Sequence, residues 1–193
     1  TEPQQHGAGR RLHWPRGKVL GGSHSLNAMI WVRGVPQDFD HWAALGNPGW
    51  AWKDVLPVYQ RIENYGPGSA DDLHGHDGLL DVVTDYPLHP IQQAIIDAAG
   101  QVGIPRNPDY NGTGQEGISQ QHITVRDGRR LHTFGAYVRP VATSANLTVL
   151  TESWVHRVLL AGTQAVGVEY ERGGEIVTAH AEKVVLAAGA LDS

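Results

Sequence analysis

The chain has 193 residues, with 15 Lys plus Arg against 20 Asp plus Glu, and its formal net charge of −5 argues against the basic footprint of a nucleic-acid binder. With 24 Gly, 11 Pro and 40% hydrophobic residues it is turn-rich but globular. Zero Cys excludes disulfides, thiolate catalysis and cysteine-based metal centres, so redox chemistry here would need a bound organic cofactor.

Residues 1–18 are polar and Gly-rich, lack a period, and read as a connecting segment. Val19 to Val32 begins with a Gly21-Gly22 turn and a cap-like Ser23, and its mostly apolar continuation predicts a loop feeding a short buried helix. Asp38 to Leu45 predicts an amphipathic helix stopped by Gly46 and Pro48. A second follows, with Val55, Val58, Tyr59 and Ile62 on one face and Pro57 expected in its first turn. Tyr65 to Gly78 predicts a mobile loop, and Leu79 to Val83 a short strand. Pro90 opens a helix with Ile91, Ala94, Ile95 and Ala98 on one face, closed by Gly103. After a turn-rich stretch, Ile118 to Val125 predicts a strand and Phe134 to Val141 a short helix. Leu147 to Leu150, Trp154 to Leu160, Ala165 to Glu171 and Ile176 to Ala179 predict strands, with Gly173-Gly174 as the clearest hairpin turn and three strands forming a meander. Lys183 to Ala190 predicts a fully buried strand running into a Gly turn that should lead to a helix, so the chain is expected to be an interior piece of a larger α/β protein. No apolar run approaches the roughly 18 residues of a membrane helix, and no basic segment precedes an apolar stretch near Thr1, so neither anchor nor signal peptide is expected and cytoplasm is the default compartment.

A Gly-Gly pair followed by small hydroxyl residues lets backbone N–H groups approach an anion such as a pyrophosphate, because no side chain intervenes. By itself Gly21-Gly22-Ser23 reads more readily as an ordinary helix-entry turn, as most such pairs are. The longer string Arg16-Gly17-Lys18-Val19-Leu20-Gly21-Gly22-Ser23-His24-Ser25-Leu26-Asn27-Ala28-Met29 resembles the first signature of the glucose–methanol–choline (GMC) flavoprotein oxidoreductases, in particular their choline dehydrogenase-like branch. Resemblance continues through Val32-Arg33-Gly34, Gly49-Trp50 with Asp54-Val55-Leu56-Pro57, Asp77-Gly78, Asn111-Gly112 with Glu116-Gly117, Ala136-Tyr137 with Pro140, and Ala165 to Tyr170. Val185 to Ser193 looks like the strand that leads into the family's second signature.

The resemblance implies a mixed α/β chain: a partial FAD-binding flavoprotein fold with a β-meander and an inserted helical and small-sheet region. Its expected parts are an FAD-binding segment over 1–36, an inserted lid or central region over 37–143, and the meander with its returning strand over 144–193. It implies that Val19, Gly21, Gly22 and Ser23 touch FAD along its pyrophosphate and flavin side. Asn27, Ala28, Met29 and Ile30 would line the isoalloxazine ring near N5, with Asn27 foremost. Val155 would bring its backbone to the adenine, and Ala188 and Gly189 would pass the ADP half, the alternatives being a plain core position and strand–helix packing. It also implies that the family's Gly-x-Gly-x-x-Gly turn precedes Thr1 and that its catalytic His lies beyond Ser193, so no catalytic residue is assigned and the isolated chain is expected to be inactive. The implied reaction oxidises a small alcohol to an aldehyde with hydride transfer to flavin N5 and an electron acceptor that stays open.

Leu26 stands where some family oxidases carry a flavin-linking His, which excludes covalent attachment by that route and implies non-covalent FAD. His24 and His132 replace small residues and are read as structural. His74-Gly75-His76, near Asp71, Asp72 and Asp77, offers too few ligands for a metal site. Trp31, Trp50 and Trp52 are read as core and lid packing. The alternatives to the flavoenzyme are a non-catalytic binding or scaffold module that keeps this fold segment without flavin chemistry, and a His-based metal hydrolase.

Overall fold

The computed structural model describes residues 2–66, 72–189 and 193. Parts of the expected Tyr65–Gly78 loop, Asp71 among them, and Ala190, Leu191 and Asp192 lie outside the described residues. The chain divides into two compact units, Thr1–Val141 and Ala142–Ser193.

In the first unit, a 3₁₀ turn at Gln5–Gly7 is clipped by a Gln4–Arg10 bridge, and a second 3₁₀ turn spans Gly22–Ser25. The short buried helix expected after Gly21-Gly22 does not form. Asn27 Oδ1 accepts the Met29 N–H at 2.9 Å, and Met29 takes a left-handed φ of +63°, so the chain leaves the turn extended. Val19, Leu20, Leu26, Ile30 and Val32 are all exposed.

Helix α1 (Pro36–Ala44) starts with proline, which needs no partner for its missing N–H, and Asp38 at its third position accepts the Val35 N–H at 3.2 Å. Asp40 in turn accepts the Trp52 N–H at 2.9 Å, capping helix α2 (Trp52–Ile62) from its neighbour. Because that cap fixes the start at Trp52, Pro57 falls inside α2 rather than in its first turn, and its missing N–H leaves the Lys53 carbonyl without the usual helical donor. Phe39, Trp42, Trp50, Trp52 and Tyr59 join the two helices through ring pairs with centroids 5.4 to 6.4 Å apart, and Trp31 meets Tyr59 edge-on at 6.1 Å. This is the packing role expected of the tryptophans.

Strand β1 (Glu63–Tyr65) continues directly from α2 and pairs in parallel with β2 (Leu80–Val83), Glu63 opposite Leu80. Helix α3 (Pro90–Gln101) is capped by His89, whose Nδ1 accepts the Ile91 N–H at 3.3 Å while Gln92 Oε1 accepts the His89 N–H at 3.0 Å. Its expected inward face is not buried. Ile91 and Ile95 are 65% and 59% exposed, and the helix instead packs through the small Ala99. Strand β3 (Ile123–Arg126) pairs antiparallel with β2 and turns back through Asp127-Gly128, both at positive φ, into the two-residue β4 (Arg129–Arg130). It begins later than expected because Ile118 bridges Arg106 in parallel, drawing 118–122 into the adjoining loop. Phe134–Val138 forms a π turn followed by a 3₁₀ turn at Arg139–Val141. Leu80, Leu131 and Ala136 form the buried centre, with Trp31 and Tyr137 packed against it.

In the second unit, β5 (Ser153–Ala161), β6 (Gln164–Arg172) and β7 (Glu175–His180) form the expected antiparallel meander, with Gly173 and Gly174 at φ +62° and +84° in the second turn. Leu147 to Leu150 forms no strand, having no pairing partner. Neither does the described part of Lys183 to Ala190, where Val185 and Leu186 are 85% and 58% exposed. A continuous apolar strand is stable only between neighbours, and no described strand pairs with this segment. No described helix is long and apolar enough to cross a membrane.

Candidate cofactor-binding site

The segment from Gly17 to Ile30 folds back on itself as closely as a main chain can. Gly17 donates its N–H to Ser23 Oγ at 3.1 Å, and a Cβ on Gly17 would collide with the Gly22 carbonyl. A Cβ on Gly21, which sits at φ +92°, would come within 2.6 Å of His132 Nδ1 and 2.5 Å of Ser25 Oγ. Gly22 is different: at φ +57° it needs the freedom of glycine, yet nothing lies within 4 Å of where its Cβ would stand. Its N–H bonds back to the Val19 carbonyl at 2.8 Å.

Past the turn, Asn27 Oδ1 receives the Met29 N–H and also Arg130 Nη1 at 3.2 Å. Ile30 forms a bridge with Ile123, flanked by the Trp31 N–H on the His122 carbonyl and the Thr124 N–H on the Met29 carbonyl. In this antiparallel pattern the N–H of Ile30 itself points away from β3. No described group accepts the Ile30 N–H or binds Asn27 Nδ2. Exposed apolar side chains and unused donors thus occur together in one stretch.

Two histidines brace this stretch. His24 Nε2 meets Thr124 Oγ1 at 2.9 Å, and burial, helped by the nearby Arg130 and His132 charges, pushes its pKa down and keeps the ring neutral. His132 Nδ1 accepts the Gly135 N–H at 3.1 Å. Both are engaged with the protein, as expected.

Behind the segment lies a buried polar network that no sequence pattern foreshadows. Asn111 receives the Arg33 N–H at 2.8 Å and donates to the Trp31 carbonyl at 3.0 Å, so one amide side chain serves as strand neighbour to residues 31–33. Arg33 forms a buried ion pair with Glu63, which also accepts Trp31 Nε1 at 2.8 Å. His74 links Glu63 at 3.1 Å to Asp109 at 2.8 Å, while His76 Nδ1 meets the Tyr65 carbonyl, so the two histidines of the His74-Gly75-His76 motif have separate protein partners. Tyr65 bridges Asp109 and His122.

Burial alone would push His74 down, but its hydrogen bonds to Asp109 and Glu63 outweigh this and raise it to about 9. Burial would raise Asp109, and His74 instead lowers it to about 2. A histidine raised in the folded state contributes stability that is complete below its unfolded value near 6.5 and is lost as pH rises through 9. The lowered aspartate contributes stability that is complete above about 3.8 and is lost as pH falls towards 2. Melting temperature is therefore expected to fall from neutral pH to pH 10, and His74→Gln is expected to remove most of that fall. An unchanged slope in the variant would show that His74 carries no proton in the folded chain.

Val155 lies in β5 next to an irregularity in register between Val155 and Arg157, with its side chain exposed. Ala188 donates its N–H to Ser193 Oγ at 2.8 Å, and Gly189, at φ +97°, accepts the Ser193 N–H at 3.1 Å. These three belong to the second unit, whereas Val19 to Ile30 belong to the first.

The family model described as GMC oxidoreductase matches residues 6–193. The chain belongs to the GMC oxidoreductase family. It corresponds to the family's N-terminal, FAD-binding part, and the expected flavoprotein fold and cofactor are borne out. It is 41% identical to the oxygen-dependent choline dehydrogenase of Photobacterium profundum, over 100% of this chain and 34% of that protein. Identity to the mitochondrial choline dehydrogenase of Homo sapiens is also 41%, over 100% of this chain and 32% of the relative. The GMC segment in hand thus spans about a third of the length of the curated relatives it matches. Among solved structures it is similar to pyridoxine 4-oxidase from Mesorbium loti, with a TM-score of 0.90 and 37% identity over 99% of this chain and 38% of the other. It is also similar to an FAD-dependent oxidoreductase from Chaetomium thermophilum, with a TM-score of 0.85 and 27% identity over 95% of this chain and 34% of that one.

The residues present fit the cofactor. A flavin dinucleotide needs close main-chain approach along its phosphates and donors at its electron-rich edge. Gly22 would allow the first with its empty Cβ position, and Asn27 Nδ2 and the Ile30 N–H would offer donors that have no acceptor among the described residues.

Proposed function

We propose that this chain forms the flavin-facing wall of an FAD-dependent oxidoreductase that oxidises the CH–OH group of a small alcohol to an aldehyde. The observation that carries this is the uncovered, donor-bearing stretch from Gly22 to Ile30, held rigid by Arg130, His24 and the Asn111 network. Val19, Gly21, Gly22 and Ser23 would follow the pyrophosphate and flavin side of non-covalently bound FAD, and Asn27, Ala28, Met29 and Ile30 would line its ring. Val155 would offer its backbone to the adenine, while Ala188 and Gly189 would pass the ADP half. FAD, when bound, supplies the hydride acceptor. The chain's own contribution is binding and electrostatics: the Asn27 amide and the Ile30 N–H would donate to the ring edge where charge accumulates on reduction, and exposed Leu26, Ile30 and Val32 would exclude water from it. The proton-accepting group is assigned to no residue of this chain. Choline, named in the curated relatives, sets the substrate class to try first.

In the protein of the complete reading frame, FAD at about a hundred times its Kd is expected to raise the melting temperature by about 5 to 10 °C. Choline or another small primary alcohol is then expected to bleach the flavin absorbance under anaerobic conditions. A protein that purifies colourless and melts at the same temperature with and without FAD would be a scaffold module, and the flavoenzyme assignment would fail.

A further inference from the structure

Arg130 stands on β4, directly after the Asp127-Gly128 turn, and a single nitrogen of its guanidinium serves three oxygens of the candidate site. Nη1 lies 2.7 Å from the Asn27 carbonyl, 3.2 Å from Asn27 Oδ1 and 3.1 Å from the His24 carbonyl. The arginine therefore ties the 3₁₀ turn to the bend that follows it. Some arginines of this chain meet carboxylates, Arg33 pairing with Glu63, Arg126 with Asp81 and Arg157 with Glu169. Among the described residues no carboxylate lies within ion-pair distance of Arg130, so its positive charge faces only neutral oxygens.

The Asn27 amide has a defined orientation for the same reason. Two groups approach one end of it, the Met29 N–H at 2.9 Å and Arg130 Nη1 at 3.2 Å, and neither can accept a hydrogen bond. The atom between them must be the oxygen. Nδ2 is left at the other end with both hydrogens and no described partner. A cation on the carbonyl side of an amide polarises it and makes its N–H bonds better donors.

We infer that Arg130 is a positioning residue for the cofactor: it locks the Asn27 amide with Nδ2 as its available donor and lends that donor an unneutralised positive charge. The inference rests on the proposed placement of Asn27 at the flavin ring. Reduction adds negative charge to the ring, so a donor backed by a cation stabilises the reduced form more than the oxidised one.

The test is the two-electron midpoint potential of bound FAD, measured by dye equilibration in the protein of the complete reading frame, for Arg130→Met, Arg130→Lys and Asn27→Leu. Arg130→Met is expected to shift the oxidised-to-reduced ratio about tenfold towards oxidised flavin, a fall of about 30 mV. Arg130→Lys keeps the charge but not the planar fork, and is expected to shift the ratio about threefold in the same direction. The lysine variant keeps the measurement available should the methionine variant lose its cofactor. A wild-type potential in a flavin-loaded Arg130 variant, with a lowered potential in Asn27→Leu, would overturn the role of Arg130 and leave the placement of Asn27 standing. Wild-type potentials in all three would overturn both.

Discussion

Glu63→Gln is expected to destabilise the folded chain by about 3 to 5 kcal/mol. The Glu63 side chain is fully buried, and both of its oxygens are occupied. Oε1 receives Arg33 Nη2, His74 Nδ1 at 3.1 Å and the Gly75 N–H at 3.1 Å, while Oε2 receives Trp31 Nε1 at 2.8 Å. Glutamine matches the shape but carries no charge, and its amide nitrogen would face a donor whichever way it turned. The buried guanidinium of Arg33, whose Nε has no partner among the described residues, would then lose its counter-ion. Breaking a buried pair costs more than never having made one, because the remaining charge is stranded in a low-dielectric interior. In urea the midpoint is expected to fall with the slope unchanged. A loss below about 1 kcal/mol would mean that the network is not ionic in the folded state, a much smaller effect than removing one partner of a buried ion pair produces.

The consequence reaches the candidate site. Trp31 and Arg33 lie just after Ile30, and they are fixed from two separate segments, by Tyr59 and Glu63 of the continuous α2–β1 run and by Asn111. The polar network thus holds the strand whose upstream end carries the unused donors.

That network shows where sequence patterning stops being informative. Helices α1 and α2 and the meander were legible because apolar spacing and turn residues are local signals, as Gly46, Pro48 and Gly173-Gly174 illustrate. Strand β1 was not, since Glu63-Asn64-Tyr65 has no strand-like composition and exists through its parallel pairing with residues 80–82. The apolar composition of Val19–Val32 and Val184–Leu186 predicts burial, yet both runs are largely exposed. Apolar composition shows that a surface must be covered but not what covers it. The signature residues are legible through the resemblance of the contiguous string Arg16 to Met29 to the GMC family, since a contiguous string is a local signal. Their support is not, because Arg33, Glu63, His74, Asp109 and Asn111 lie up to 78 residues apart in paired contacts and follow no period. The single clue was an excess of histidine, 11 in all, which drew attention to a metal rather than to a buried ion network.

Gly22→Ala is expected to weaken FAD binding about a hundredfold while costing the fold only about 1 to 2 kcal/mol, the usual penalty for a left-handed alanine. The two effects separate because the structure leaves the Cβ position of Gly22 empty, with no described atom within 4 Å apart from the adjoining residues. The methyl group would therefore displace no described part of this chain beyond the adjoining residues. Gly162, in the turn between β5 and β6, provides the matched control: its φ of +64° is close to the +57° of Gly22, and its Cβ position is equally empty. Gly162→Ala carries the same backbone strain at a position with no proposed cofactor contact, and is expected to bind FAD like the unaltered protein. Measuring FAD affinity by fluorescence quenching alongside urea stability for both variants separates strain from occlusion. Equal loss of affinity in the two would trace it to global destabilisation, and undiminished affinity in Gly22→Ala would remove the Gly21-Gly22 turn from the cofactor's path. A selective loss at Gly22 would show that the empty Cβ position is space reserved for the cofactor, since backbone strain and protein packing are the same at both glycines.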